Sequence, residues 1–123
     1  MVLRVLIVDD NRSFLEAASV LLERQGLSVI GVALTTAEAL REAEHLQPDL
    51  ILVDIMLAEE SGFELARDLR ERDGGNGPAV ILISTHAESD FADLIDESPA
   101  WGFLAKRELS AMAIHRILND HPR

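Results

Sequence analysis

Five short apolar segments recur along the chain, and the stretches between them are long enough to form helices. The apolar segments occupy residues 2–8, 28–33, 50–55, 79–84 and 102–105. The stretches between them carry apolar residues at three- and four-residue spacing, as Leu15, Ala18 and Leu22 do, which is typical of one face of a helix. Repeated strand and helix units require right-handed crossovers, so the sequence predicts an α/β fold whose parallel sheet is covered on both faces.

Local signals mark where these elements begin and end. Two sites have the pattern of a capping box, Thr35 with Glu38 and Ser61 with Glu64. Gly26 and Pro48 are predicted to close the first two helices. We expect a loop over residues 73–78 and a last helix over about 110–119.

Composition narrows the class of protein. With 123 residues, of which 48% are hydrophobic, residues 1–123 are expected to form one domain. The chain has 22 acidic and 11 basic residues, a formal charge of −11 that opposes direct binding to nucleic acid or to an anionic membrane. It has no cysteine, and its apolar runs are far shorter than the ~20 residues of a membrane span. Since Asp9 and Asp10 interrupt the first run before a secretory signal could form, we expect a cytoplasmic location.

Polar residues that can bind a ligand or take part in a reaction stand at the carboxyl ends of the predicted strands. Ligands bind at this edge in sheets of this kind. They are Asp9 and Asp10 after the first strand, Asp54 near the end of the third, Ser84 and Thr85 after the fourth, and Lys106 after the fifth. Three converging carboxylates would repel one another unless a cation were present, and oxygen ligands without sulfur suit Mg²⁺. A carboxylate beside Mg²⁺ can attack phosphorus while a lysine neutralises the transferring group. Asp54 is the best nucleophile, with Ser84 as a hydroxyl donor and Lys106 as the ammonium.

Four segments, VLIVDDN, ILVDIMLAEESGFEL, VILISTHAE and GFLAK, together resemble the receiver domain of two-component response regulators. The resemblance implies a flavodoxin-like doubly wound sheet of five parallel strands in the order 2-1-3-4-5. It implies that Asp54 accepts a phosphoryl group from a phosphohistidine of a sensor histidine kinase or phosphotransfer protein. It also implies that Asp9, Asp10, Asp54 and the backbone carbonyl of Met56 hold Mg²⁺ or Mn²⁺. Such a domain is a signalling phosphoacceptor that assists its own phosphorylation and dephosphorylation, and is not otherwise an enzyme.

The same resemblance implies a switch made of Ser84 and Phe103, and an output surface formed by residues 89–98, 102–105 and 110–119. Met56, Thr85 and His86 would form the rim of the site and tune the lifetime of the phosphate. The sequence departs from the family pattern at two positions. Ala58 replaces a common proline, and Arg107 rather than proline follows Lys106, so a trans peptide bond is expected there.

The sequence is also compatible with other functions. A receiver that works unphosphorylated as a protein-binding scaffold is the main alternative. A haloacid-dehalogenase-like phosphatase would need a second aspartate where Met56 stands. The domain is either a stand-alone regulator or part of a larger, DNA-binding one with an unknown effector, and phosphorylation-dependent homodimerisation is one form of output. Trp101 is expected to be a packing residue on the same strand face as Phe103, if the strand extends that far.

Overall fold

Strands and helices alternate along the whole of the described chain, as the apolar pattern predicts. The structure, a computed structural model, describes residues 2–72, 74 and 77–120. The sheet strands are β1 Arg4–Val8, β2 Ser28–Ala33, β3 Leu50–Asp54, β4 Ala79–Ser84 and β5 Gly102–Ala105. The helices are α1 Arg12–Arg24, α2 Thr36–Leu46, α3 Gly62–Arg72, α4 Ala92–Glu97 and α5 Ala111–Asp120. The five strands are parallel and run in the order β2-β1-β3-β4-β5, so the predicted fold class and strand order are confirmed.

Two apolar layers cover the sheet. On one face, α1 and α5 pack on residues such as Ile7, Leu52 and Ile83. On the other face, α2 and α3 pack on the alternate residues of the same strands, such as Val53 and Leu82. Because both faces are covered, β3 and β4 are buried along their whole length, which is why their sequences are apolar without alternation.

The start of α2 follows the predicted capping pattern more closely than the start of α3 does. Thr35 caps α2 by accepting a hydrogen bond from the backbone N–H of Glu38 at 3.1 Å. Ser61 instead accepts from the N–H of Phe63 at 3.2 Å, so the predicted box of Ser61 with Glu64 is wrong. The reason is that Ser61 already pairs with Met56 in a short hairpin, which leaves it outside an ordinary capping position.

The ends of the first two helices lie near the residues expected to close them. Gly26 adopts a φ of +93° just after α1, a conformation that glycine tolerates best. Gln47, before Pro48, takes the left-handed φ of 51° that ends α2. The guanidinium of Arg4 donates to the carbonyl oxygens of Leu46 at 2.7 Å and Gln47 at 2.6 Å. Arg4, the one charged residue of β1, therefore satisfies carbonyl groups that the helix itself leaves unpaired.

A small antiparallel hairpin, Met56–Leu57 with Glu60–Ser61, follows β3 and was not predicted from the sequence. The strand ends at Asp54, one residue earlier than expected, because the Asp54 carboxylate accepts from the N–H of Met56 at 3.1 Å and turns the chain. Ala58 lies in the hairpin turn with a φ of 54°. Proline cannot adopt that angle, so this turn conformation is incompatible with a proline at position 58.

The C-terminal third differs from the sequence predictions in two features and agrees with them in a third. Residues Glu88–Phe91 form a 3-10 turn, and α4 is only six residues long, so the helix expected over 89–98 is shorter than predicted. Trp101 lies outside β5 and packs in the layer of α1 and α5, whereas Phe103 packs in the opposite layer. The expectation that Trp101 is a packing residue is met, but the expectation that it shares a strand face with Phe103 is wrong, because the strand does not extend to Trp101. The peptide bond between Lys106 and Arg107 is trans, as expected, since the described residues include no cis bond.

The predicted loop over 73–78 lies partly outside the described residues. No helix in the described part of the chain combines the length and apolarity required to cross a bilayer.

Replacing Arg4 with methionine should lower the free energy of unfolding by about 1–2 kcal/mol, because the carbonyl groups at the end of α2 lose two charged donors. Urea denaturation at neutral pH measures the change. Arg67→Met, at an exposed position of α3, is the matched control and should change stability by less than about 0.5 kcal/mol. Equal losses in the two variants would contradict the capping role of Arg4.

The carboxylate of Glu60 ties the hairpin to the start of α2. It accepts from the hydroxyl of Thr36 at 2.7 Å and from the N–H of the same residue at 3.1 Å. These two hydrogen bonds lower the pKa of Glu60 below its ordinary value of 4.5. The stabilisation is therefore complete above pH 4.5 and is lost as the pH falls through the lowered pKa.

Thr36→Val should raise the pKa of Glu60 towards its ordinary value, since the valine keeps the shape of threonine but removes its hydroxyl. A carbon-detected NMR titration of the side-chain carboxyl group measures this. Thr85→Val removes a hydroxyl elsewhere on the surface and should leave the Glu60 titration unchanged. An unchanged titration in Thr36→Val would refute the proposed cause of the shift.

Candidate functional site

Three carboxylates meet at the carboxyl edge of the sheet because of the strand register. Val8 pairs with Val53 across β1 and β3, so Asp9 and Asp54 leave the sheet side by side. Asp10 follows directly. One oxygen from each of these three residues lies within 4.8 Å of the other two. Asp9 and Asp54 are buried, whereas Asp10 is exposed.

Lys106 reaches the same point from the end of β5. Its ammonium nitrogen lies 2.5 Å from Asp9 Oδ2 and 3.1 Å from Asp54 Oδ2. Its side chain is only 13% exposed, so both ion pairs are largely shielded from water. Four of the residues expected at the site thus lie together at the ends of three separate strands, namely Asp9, Asp10, Asp54 and Lys106.

The titration behaviour of the site follows from burial and charge. Burial raises the pKa of Asp54, and the neighbouring Asp9 charge adds to the rise, against the opposing effect of the Met56 N–H and Lys106. Burial opposes the charged form of Lys106, but its contacts with Asp9 and Asp54 outweigh that effect and raise its pKa. The protein therefore concentrates negative charge here and keeps one cation beside it.

The donor set fits a hard divalent cation. Asp9 Oδ1 accepts from the N–H of Asn11 at 2.9 Å, but the buried Asp9 Oδ2 has no well-directed hydrogen bond from the described residues despite its ion pair with Lys106. A buried carboxylate oxygen whose neighbour is a single ammonium group, beside two further carboxylates, suits an oxygen-coordinated ion such as Mg²⁺ or Mn²⁺. The backbone of Met56 is held next to this set by its N–H bond to Asp54.

Ser84 closes the site from β4. Ile83 pairs with Asp54 and Ser84 pairs with Ala105, so Ser84 lies between the strand ends that carry Asp54 and Lys106. Its buried hydroxyl oxygen accepts from the N–H of His86 at 2.9 Å and lies 3.5 Å from Nδ1 of the same residue.

The residues expected at the rim lie at the surface. Thr85 and His86 are exposed, and Met56 is 53% exposed. The His86 ring packs edge-on against Phe91, with 5.9 Å between the ring centroids. The centroid of the Phe91 ring lies 6.2 Å from that of Phe63 in α3. These ring contacts connect the turn after β4 to α3.

Phe103 is half-buried in the apolar layer that contains Phe63 and Phe91. It pairs with Leu82, two residues before Ser84, so Phe103 and Ser84 belong to the same face of neighbouring strands. This placement is compatible with a coupled switch, and the switch role itself stays a prediction.

Two residues of the site were not singled out from the sequence. A Cβ atom on Gly62 would lie 2.1 Å from the backbone oxygen of Asp54, so only glycine lets the start of α3 approach the end of β3 this closely. The ring of Phe14 lies beneath the Lys106 ammonium, 4.4 Å from nitrogen to ring centroid. The glycine could have been found from its place between a turn and a helix, whereas the aromatic contact has no local sequence signal.

Known proteins share both the sequence pattern and the fold. The family model described as "Response regulator receiver domain" matches residues 5–118. The transcriptional regulatory protein YdfI of Bacillus subtilis is 32% identical over 115 residues, which are 93% of this chain and 53% of that protein. The chain spans about half the length of that protein and of other curated relatives that it matches.

Solved structures agree with these sequence matches. A LuxR-family two-component response regulator from Aurantimonas superposes with a TM-score of 0.85 at 30% identity, covering 97% of this chain and 86% of that one. A CheY-like receiver domain protein from Methanospirillum hungatei gives a TM-score of 0.79 at 25% identity, covering 97% and 93% of the two chains. The chain therefore belongs to the response regulator receiver domain family of two-component signalling proteins.

Proposed function

We propose that residues 1–123 form one receiver domain that accepts a phosphoryl group on Asp54. The donor is a phosphohistidine on a sensor histidine kinase or phosphotransfer protein. The observation that carries the proposal is the convergence of Asp9, Asp10 and Asp54 within 4.8 Å beside a nearly buried lysine. A site that served only to stabilise the fold would gain little from three neighbouring carboxylates, since their mutual repulsion opposes folding.

Asp54 is suited to be the nucleophile because it ends the central strand and its two oxygens are held in fixed positions. Oδ1 accepts from the N–H of Met56 and Oδ2 faces Lys106, both at 3.1 Å. In the transfer step an Asp54 oxygen forms a bond to phosphorus, and the bond from phosphorus to the donor nitrogen breaks. The imidazole leaves with that electron pair, and Lys106 keeps its protons and stabilises charge on the phosphoryl oxygens.

The metal site consists of Asp9, Asp10, Asp54 and the backbone carbonyl of Met56, which would hold Mg²⁺ or Mn²⁺. A bound divalent ion supplies positive charge for the phosphoryl oxygens. The protein's own contribution is to bring the carboxylates together and to leave one buried Asp9 oxygen without a well-directed donor from the described residues.

Signal output depends on Ser84 and Phe103. The Ser84 hydroxyl moves towards the phosphoryl group, and the Phe103 ring turns inward on the same face of the sheet. This change alters the surface formed by α4, β5 and α5 and favours the conformation that a partner binds better. Met56, Thr85 and His86 surround the entrance to the site, where they control access of water to the acyl phosphate.

The wider role follows from the relatives, several of which are named as transcriptional regulators and are about twice as long as this chain. We propose that the domain regulates an effector of that kind, with DNA binding left to another part of the protein or to a partner. The formal charge of −11 disfavours DNA contact by the receiver itself. A phosphorylation-dependent homodimer is one form that this regulation takes, and the compartment is the cytoplasm.

Incubation with acetyl phosphate and Mg²⁺ should add one phosphoryl group to the wild-type protein, measured by intact mass. Asp54→Asn should abolish the adduct, because the amide is a poor nucleophile, and EDTA should prevent its formation. Asp96→Asn, at an exposed position of α4, is the matched control and should be labelled like the wild type. A wild type without an adduct would favour the unphosphorylated scaffold, and an adduct that persists on Asp54→Asn would reject the assignment.

Lys106→Ala should still accept phosphate, but roughly 10- to 100-fold more slowly, because a buried hydrogen bond to a charged group is worth about 1.5–3 kcal/mol. The phosphorylated variant should also fail to transmit the change. Hydrogen exchange of residues 88–97 and 102–105, compared before and after phosphorylation, measures transmission. Arg107→Ala, at the exposed neighbouring position, should behave like the wild type. A wild-type exchange response in Lys106→Ala would contradict its role in the switch.

A further inference from the structure

Lys106 has a third neighbour besides its two carboxylates. Its ammonium nitrogen lies 4.4 Å from the centroid of the Phe14 ring, well inside the range of about 6 Å over which an aromatic face attracts a cation. Phe14 is half-buried in the layer formed by α1 and α5. The ammonium group is therefore held between an aromatic ring and the carboxylates of Asp9 and Asp54.

The backbone connects Phe14 to the acidic site through Asn11. The side-chain oxygen of Asn11 caps α1 by accepting from the N–H of Phe14 at 3.1 Å. The N–H of Asn11 donates to Asp9 Oδ1 at 2.9 Å. These two bonds place the backbone of Phe14 next to the same carboxylate that Lys106 contacts, so ring, carboxylate and ammonium lie together.

An aromatic ring attracts the ammonium without adding a formal charge to the site. A fourth carboxylate in this position would also hold Lys106, but it would increase the repulsion among Asp9, Asp10 and Asp54. The ring also keeps water from one side of the ammonium. Since a lysine side chain has four rotatable bonds, this contact restricts where the charge can be.

We propose that Phe14 is a positioning residue for phosphoryl transfer, which holds the Lys106 ammonium where the phosphoryl oxygens arrive during attack by Asp54. The inference rests on the proposed function. With acetyl phosphate as donor, the bond from an Asp54 oxygen to phosphorus forms, and the bond from phosphorus to the acetate oxygen breaks. Acetate leaves with that electron pair, and Lys106 remains protonated throughout.

Two substitutions separate the aromatic face from the volume of the side chain. Phe14→Leu keeps an apolar side chain without a π face, and Phe14→Tyr keeps the π face. At saturating Mg²⁺, Phe14→Leu should react with acetyl phosphate about 5- to 30-fold more slowly than the wild type, which corresponds to about 1–2 kcal/mol. Phe14→Tyr and the α1 control Val20→Ala should stay within about twofold of the wild type.

Mg²⁺ affinity, measured by calorimetry on the unphosphorylated protein, distinguishes positioning from general damage. The proposed metal ligands are oxygen atoms of other residues, so the dissociation constant of Phe14→Leu should stay within about twofold of the wild type. A purely structural role would weaken Mg²⁺ binding and slow the reaction together. That joint loss, a wild-type rate in Phe14→Leu, or equal losses in the leucine and tyrosine variants would each overturn the proposal.

NMR spectroscopy tests the contact itself without any reaction. The ring current of Phe14 should shift the Lys106 Hε protons upfield in the wild type and in Phe14→Tyr, and the shift should disappear in Phe14→Leu. Absence of the shift in the wild type would refute the contact and the proposal with it. A wild type that forms no adduct on Asp54 refutes the proposed function, whereas a labelled wild type with an equally fast Phe14→Leu refutes the positioning role alone.

Discussion

The balance of charge at the carboxyl edge of the sheet is the constraint on which the rest of the site depends. Burial and the neighbouring carboxylate disfavour the ionised form of Asp54, and one lysine, itself nearly buried, offsets part of that cost. Breaking a buried pair of this kind costs far more than forming it gains, because a charge is left without compensation. The site is thus held in an incompletely neutralised state that a divalent cation or a phosphoryl group can change.

The sheet divides the site between two apolar layers. Phe14, whose ring contacts Lys106, belongs to the layer of α1 and α5. Phe103 belongs to the layer of α2 and α3, and Ser84 shares its strand face. Asp54, which pairs with Ile83 of the first layer, and Phe103 therefore lie on opposite sides of one sheet, and the carboxyl edge is where the two sides meet. In the proposed switch, the Ser84 hydroxyl at that edge responds to a phosphoryl group on one side while Phe103 repacks on the other.

The sequence was sufficient to predict the structural features that depend on local patterns of residues. Apolar runs predicted the strands, and the rule for parallel sheets predicted that Asp9, Asp54 and Lys106 would lie at one edge. Features that depend on contacts between distant segments could not be predicted. Arg4 is an isolated charge in an apolar strand until the end of α2 is seen beside it. The contact of Phe14 with Lys106 joins two ends of the chain that only the folded sheet brings together.

The segment from Glu88 to Glu97, a 3-10 turn followed by α4, has no buried residue, and five of its ten side chains are acidic. Segments with so little burial open at a small fraction of the free energy needed to unfold a domain. Remodelling this segment therefore needs little free energy. If an event in the turn after β4 changes the free-energy difference between two conformations of the segment by about 1–2 kcal/mol, their population ratio shifts several-fold or more. This weakly buried segment includes Phe91, whose ring contacts that of His86, and the N–H of His86 donates to the Ser84 hydroxyl, so the segment is connected to the edge of the site through two residues.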